Sequence, residues 1–323
     1  MSRKPTSPLA LRISVTDRCQ LRCLYCMPPE GLPKAPCKDI LRYEEILRFV
    51  RAMNRHWGLS KVHVTGREPL VRRGIVDFIA MLAGEGIADL AMTTNGLALA
   101  ESAGPLKRAG LKRVNVSLDS LRSDTFATLT RGGDLRAALA GIDAARREGL
   151  SPVKVNVTVL RGINSDELVN IARFGLERSC QVRFIELMPV GTCVQTNGRH
   201  EAWFVPADEV LRVLAGEFDL TPMPRPEGGS TRPYRARGRA GAEGIIGVIP
   251  SLSQPFCGDC RRLRLTASGR LLGCLAREEG PNIRPMLAGA DDAPLIAATE
   301  AAMGLKRRDR RFDRQQAMVK IGG

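Results

Sequence analysis

Six short β-rich runs recur along the chain at about the spacing of βαβ units. They read "LRISVTD", "KVHVTG", "LAMTTNG", "RVNVSLDS", "PVKVNVTV" and "QVRFIELMP". Stretches with helical apolar spacing follow them, such as "YEEILRFVRAMNRHW", "GIVDFIAMLAGEG" and "LRAALAGIDAARREG". Strand and helix in strict alternation imply a parallel sheet, because parallel neighbours need a crossover between them. Successive right-handed crossovers curl such a sheet toward a barrel, and six units, against the eight of a closed one, leave it open on one side. The expected class is therefore α/β: a partial (β/α)6 TIM-like barrel over residues 1–220. Beyond it, "TPMPRPEGGSTRPYRARGRAGAEG" reads as a Pro-, Gly- and Arg-rich connection. It leads into a smaller C-terminal α+β domain, 221–323, with short strands, an apolar helix around "IRPMLAGADDAPLIAATEAAMG" and a polar tail.

Strands buried on both faces should be apolar throughout, yet these turn polar at their last residues. Thr65, Thr94, Asn95, Ser117, Asp119, Asn156, Glu186 and Met188 fall there. Solvent exposure or helix capping explains any one of them. The set together points to a site on the C-terminal rim, where parallel barrels carry their chemistry.

The charge balance narrows the ligand. Among 323 residues, 49 Lys and Arg stand against 34 Asp and Glu, a net +15 that favours an anionic partner. Only 14 aromatic residues are present, few for stacking bases, and no nucleic-acid-binding motif is evident. A phosphate-bearing small molecule is expected, and no nucleic acid. No apolar run reaches the length of a membrane span, and the basic start "MSRKPTSPLALR" leads into no signal-peptide stretch, so no membrane partner and a cytoplasmic location are expected. Nine cysteines, six of them in two tight groups, suit a reducing compartment and metal ligation better than disulfides.

The first group, Cys19, Cys23 and Cys26, follows the first strand at the same rim. Structural zinc wants four ligands, and the nearest histidine, His56, lies on an apparent helix. An iron-sulfur cubane held by three thiolates leaves one iron free to bind something else. The second group, Cys257, Cys260 and Cys274, also lacks a fourth cysteine or histidine nearby. Either an acidic residue completes it or it holds a second open cluster. Cys37, Cys180 and Cys193 have no ligand spacing and read as packing residues or incidental thiols.

The Cys-x3-Cys-x2-Cys spacing, with Tyr25 before the last cysteine, resembles the signature of the radical S-adenosylmethionine superfamily. With both groups in view the chain resembles, nearly end to end, the GTP 3′,8-cyclase family. Shared stretches include "LRISVTDRCQLRCLYCMP", "TTNG", "NVSLDSL", "VKVNVTVLRGIN", "RFIELMPVG", "CGDCRRLRLTASGRLLGCL" and the terminal "IGG". The resemblance implies a lyase with two [4Fe-4S] clusters and S-adenosyl-L-methionine as cofactors. It implies cleavage of that cofactor to a 5′-deoxyadenosyl radical, removal of the 3′ hydrogen of GTP and closure onto C8 of guanine, the first step of molybdenum cofactor biosynthesis. By position it implies Tyr25, Gly66, Arg67, Ser117 and Met188 at the cofactor, and Arg12, His63, Thr94, Lys154, Arg262, Leu263 and Arg264 at GTP. Gly322 and Gly323 match a terminal diglycine that reaches into the barrel at the reaction. A reducing electron donor and a transient hand-off to the next molybdopterin-pathway enzyme are implied as well, and a homodimer is compatible with the sequence.

One stretch departs from the family. Where relatives read "RxTGGEP", this chain reads "HVTGREP", with His63 for an arginine and Arg67 for the second glycine. In an extended segment 63, 65 and 67 point the same way, so Arg67 is expected to restore toward GTP the charge lost at His63. The alternative expectation is another radical branch, or a paralogue with altered activity. Arg261 stands where relatives often have Asn, a smaller departure.

Overall fold

The computed structural model describes residues 9–191, 199–239, 241–277 and 279–306. Cys193, Gly322 and Gly323 lie outside these residues. The six runs form β1 (Leu9–Ser14), β2 (Leu59–Thr65), β3 (Asp89–Thr94), β4 (Arg113–Ser117), β5 (Lys154–Val159) and β6 (Gln181–Glu186). Each pairs in parallel with the next. The crossovers carry α1 (Tyr43–Trp57), α2 (Ile75–Ala83), α3 (Leu99–Arg108), α4 (Ser123–Thr130), α5 (Leu135–Arg147) and α6 (Leu168–Glu177). This is the partial barrel expected.

Alternate strand residues explain how it holds together. Ile13, Val64, Met92, Val116, Val157 and Phe184 face outward and pack in one apolar cluster with Phe49 and Met53 of α1, Phe78 of α2 and Ile142 of α5. Full burial of each such side chain contributes about 1.5–3 kcal/mol. The intervening residues face the lumen and are largely polar, unlike the apolar side chains that fill many barrels.

The C-terminal segment adds to both edges of the same sheet. β9 (Glu243–Ile249) lies parallel to β6, and β8 (Arg232–Gly238) and β7 (Phe218–Pro222) follow it antiparallel. On the other edge β10 (Arg262–Leu265) runs parallel to β1 and pairs with the short β11 (Leu271–Leu272). Among the described residues the sheet thus has eleven strands, with the barrel strands in the middle.

Two expectations are corrected. The segment read as a connection contains β8: Ala236 is buried and Arg235 and Arg237 are exposed, an alternation hidden by Arg and Gly, while Pro233 sits near the strand's start where it is tolerated. The apolar helix expected over 283–304 is broken into a 3-10 turn, Arg284–Ala288, and a helix, Ala293–Gly304. Gly289 is extended at the break, and a proline in the first turn of the second piece starts it afresh.

Candidate active site

Cys19, Cys23 and Cys26 lie on the loop after β1, at the C-terminal rim. The Cys26 and Met27 amides both donate to the Cys23 carbonyl, at 2.9 and 3.2 Å, which turns the loop between the second and third sulfurs. The Arg22 and Leu24 amides bond to the Thr130 and Leu129 carbonyls at the end of α4, and Arg131 Nη1 reaches the Arg22 and Met27 carbonyls. Gly191, at φ +77°, closes over the loop: a Cβ there would lie 2.8 Å from the Tyr25 carbonyl oxygen and 2.9 Å from that of Cys26. Tyr25 donates its hydroxyl to Asp119 Oδ2 at 2.7 Å, and the Thr158 amide holds Asp119 Oδ1. Burial raises the Asp119 carboxyl to about 6. Asn95 Nδ2 donates to Cys19 Sγ at 3.8 Å.

These residues fit an iron-sulfur cluster. The donors are three soft sulfurs on a pinned loop. Burial holds the Cys23 thiol well above its ordinary value and takes Cys26 to about 11, so the thiolate forms need a bound cation's charge. Among the described residues no His, Cys, Asp or Glu group is spaced to hold a single metal ion.

The "HVTGREP" stretch closes the same rim. β2 ends at Thr65, and Gly66 turns the chain at φ +139°, where a Cβ would lie 2.9 Å from the Thr16 carbonyl oxygen, so only glycine fits. The Arg67 and Glu68 amides bond back to the Thr16 and Arg18 carbonyls at 3.3 and 3.0 Å. Glu68 is fully buried, accepting from the Leu70 and Asn95 amides and the Thr94 hydroxyl, and burial raises it to about 7. The turn at Gly66 breaks the alternation that would have aligned residues 63 and 67. Arg67 feels Asp17, Cys26 and Cys19, whereas His63 feels Arg12, Lys61, Arg113 and Arg183. Arg67 therefore does not restore the charge lost at His63, and that expectation is corrected.

Within the lumen the strand register gathers basic groups. Arg12 is the partner of His63 on one side and Arg264 on the other, and Asn156 that of Arg183. His63 Nε2 lies 2.7 Å from Thr93 Oγ1 and 3.3 Å from Asn115 Nδ2. Burial, with Arg12 and its basic neighbours, holds His63 well below its ordinary value, so it is neutral. Burial also lowers Arg12 to about 10, Arg183 to about 9, Lys61 to about 8 and Lys154 to about 7, each helped by the surrounding cations. Asp89 answers this charge only at the floor, where Arg113 holds it through two bonds of 2.9 and 2.8 Å. Among the described residues the buried Arg12 Nε, Arg262 Nε and Nη2, and Arg264 Nη1 have no hydrogen-bond partner. Unpaired buried guanidinium donors are costly, and an anion would satisfy them.

Two residues expected at GTP point elsewhere. The Thr94 hydroxyl donates to Glu68, leaving Thr93 as the hydroxyl beside His63. The Leu263 side chain is buried in the apolar cluster, so only its backbone lies along the basic edge. Ser117 ends β4, and Met188 follows β6 and packs with Val190, Leu272 and Leu275. The sequence reading missed Lys61, Thr93, Arg113, Asn115 and Arg183. For Lys61, Arg113 and Asn115 the signal was the alternation of "KVHV" and "RVNV", repeated in "KVNV" and unusual in parallel strands whose two faces are both buried.

Cys257 begins a 3-10 turn, Cys257–Asp259, that Cys260 follows, and Cys274 follows β11, its sulfur accepting from the Ala276 amide at 3.4 Å. Burial pushes the Cys260 thiol up, but Lys306, Arg262 and Arg264 bring it below the ordinary value. Lys306 Nζ is anchored on the Arg262 and Gly273 carbonyls. Arg264 feels both Arg12 and the sulfurs of Cys260 and Cys274, so the basic wall joins the lumen to this second trio.

The fold and the sequence have counterparts among known proteins. Residues 13–175 match the Radical SAM superfamily and residues 180–312 the Molybdenum Cofactor Synthesis C family. In structure the chain is similar to SuiB of Streptococcus suis solved with its precursor peptide SuiA (TM-score 0.61, 15% identity, 97% of this chain and 70% of that one). It is also similar to the radical SAM enzyme coproporphyrinogen III oxidase of Escherichia coli (TM-score 0.50, 13% identity, 77% and 73%). The chain is a radical S-adenosylmethionine protein. In sequence it is 43% identical over 321 residues to the GTP 3′,8-cyclase of Geobacter sulfurreducens, covering 97% of this chain and 96% of that one. It is 46% identical over 324 residues to that of Pelotomaculum thermopropionicum, covering 97% of each. The chain belongs to the GTP 3′,8-cyclase family.

Proposed function

We propose that the chain cyclises GTP to (8S)-3′,8-cyclo-7,8-dihydroguanosine 5′-triphosphate, opening molybdopterin biosynthesis. The observation that carries this reading is the set of buried guanidinium donors inside the barrel that have no hydrogen-bond partner among the described residues, on a basic wall that runs on to the second cysteine trio. Membership of the superfamily brings a [4Fe-4S] cluster and S-adenosyl-L-methionine, which together supply one-electron cleavage chemistry when bound. The alternative of another radical branch finds no support among the relatives, which carry the cyclase name over nearly the whole chain.

In this reading Cys19, Cys23 and Cys26 hold the first cluster, and Tyr25, Gly66, Ser117 and Met188 shape the cofactor's seat on the rim. Arg12, Arg183, Lys61 and Lys154 face the triphosphate, while neutral His63 with Thr93 and Asn115 offers hydrogen bonds without charge. Cys257, Cys260 and Cys274 would hold a second [4Fe-4S] cluster that supplies an iron for the guanine base, with Arg262 and Arg264 along its edge. In this reading residues 1–220 carry the radical chemistry and 221–323 the recognition of the base, and Gly322 and Gly323, outside the described residues, are assigned a role at the reaction. The chemistry further calls for a strongly reducing electron donor, a reducing cytoplasm and a hand-off of the unstable product to the next pathway enzyme, and it accommodates a homodimer. Among the described residues no helix is long and apolar enough to cross a membrane.

The test is an anaerobic assay of reconstituted protein with GTP, S-adenosylmethionine and reductant. The expected products are 5′-deoxyadenosine and the cyclised nucleotide in step. Formation of 5′-deoxyadenosine with no dependence on GTP would overturn the substrate assignment.

A further inference from the structure

Arg67 has no part in the reading above, yet its place is well defined. The turn at Gly66 and the bonds from the Arg67 and Glu68 amides to the Thr16 and Arg18 carbonyls seat it against the loop of the first cysteine trio. Arg131 and Ser179 are the only described non-glycine residues at positive φ, so Arg67 is presented without backbone strain. Its Nε and Nη2 atoms are buried and, among the described residues, have no hydrogen-bond partner. The charged groups around it are Asp17, Cys26 and Cys19. Asp17 acts on it through space without a direct ion pair: Asp17 Oδ2 is held by the Ala35 amide at 2.6 Å, and Asp17 Oδ1, like the Arg67 donors, is buried with no hydrogen-bond partner among the described residues. Two buried donors beside two of the three ligand sulfurs are costly until something negative meets them.

We propose that Arg67 donates to the sulfur edge of the first cluster, beside Cys19 and Cys26, and raises that cluster's reduction potential. The inference rests on the reading that Cys19, Cys23 and Cys26 hold the cluster. Reduction takes one electron from an external reductant, breaks no bond, and makes an already anionic thiolate-held group more negative. A neighbouring cation with N–H donors to sulfur stabilises that reduced form more than the oxidised one. Arg67 is thus a positioning residue for charge, acting on the ease of electron entry.

The test compares the full reconstituted chain with Arg67→Gln, Arg67→Gly and Arg67→Lys in a potentiometric titration followed by electron paramagnetic resonance. The signal to follow is the one perturbed by S-adenosylmethionine, and the cofactor's dissociation constant is measured alongside. Both charge-removing variants are expected to keep their iron and shift the reduced-to-oxidised ratio about tenfold toward oxidised at a fixed potential, ~59 mV for one electron. The lysine variant is expected to fall between them and the parent, and the glycine variant stands in if the glutamine one fails to load. An unmoved potential at full iron content overturns this inference alone. A loss of cofactor affinity with the potential unmoved also overturns it, assigning Arg67 to the cofactor's carboxylate. Absence of iron from the parent and every variant overturns the assignment of the trio itself.

Discussion

Lys154 is half-buried among Arg183, Arg113 and Lys61, and burial with their charge holds its ammonium at about 7; Lys61 is held at about 8. A triphosphate arriving in this lumen raises both values, because an anion favours the protonated form. Binding therefore takes up protons. The affinity is full below about pH 7, where both lysines are already charged, and falls as pH rises through their free-state values toward the bound-state ones. Calorimetry of GTP binding at pH 8 in buffers of different ionisation heat should show net proton uptake, and Lys154→Gln should remove part of it. His63 starts lower still, held well below its ordinary value by burial and the same cations. At this scale the first cysteine trio stood out in the sequence because its three thiols crowd into one short loop after β1. It misjudged Arg67 because a single left-handed residue, Gly66, sends the chain out of the extended path on which the alignment with His63 depended.

Elements were legible where local pattern and tertiary setting agreed. The barrel strands carry Val and Ile on the helix-packed face, and this periodicity placed them. β8 was hidden because its burial comes only from pairing with β7 and β9, which no local property of an Arg- and Gly-rich segment announces. Glu186 shows the same dependence on distant chain. Late in β6 it reads as a rim residue, but its carboxylate accepts from the Ala207 amide at 2.8 Å, the Leu252 amide at 2.8 Å, the Ser253 amide at 3.0 Å and the Ser253 hydroxyl. It thus ties β6 to the helix that begins at Ala207 and to the loop after β9. Glu186→Ala leaves these buried donors unmet and should cost about 3 kcal/mol of stability by denaturant unfolding of the iron-free chain. Glu186→Gln, which keeps an acceptor, should cost less. Equal losses in the two variants would show that packing, not these hydrogen bonds, sets the effect.

At the scale of the molecule, the C-terminal segment does more than follow the barrel. By adding β9 to one edge and β10 to the other, it brings the second cysteine trio to the β1 side, where Arg264 faces both Arg12 and the sulfurs. The sequence showed two cysteine trios but not that the basic wall of the lumen runs on to the second, since that adjacency exists only once β10 has paired with β1. Two three-cysteine cubanes require about eight irons per chain. Replacing Cys257, Cys260 and Cys274 together with alanine should leave about four. The variant's first trio is untouched, so it should still bind S-adenosylmethionine and cleave it under reductant, while GTP affinity falls because the base has lost its iron and the triphosphate has kept its lysines and arginines. Iron analysis, cofactor cleavage and nucleotide binding on that one variant therefore separate the two halves of the proposal. Retention of about eight irons would place the second cluster elsewhere, and unchanged GTP affinity at about four would leave the base without the iron contact assigned to it.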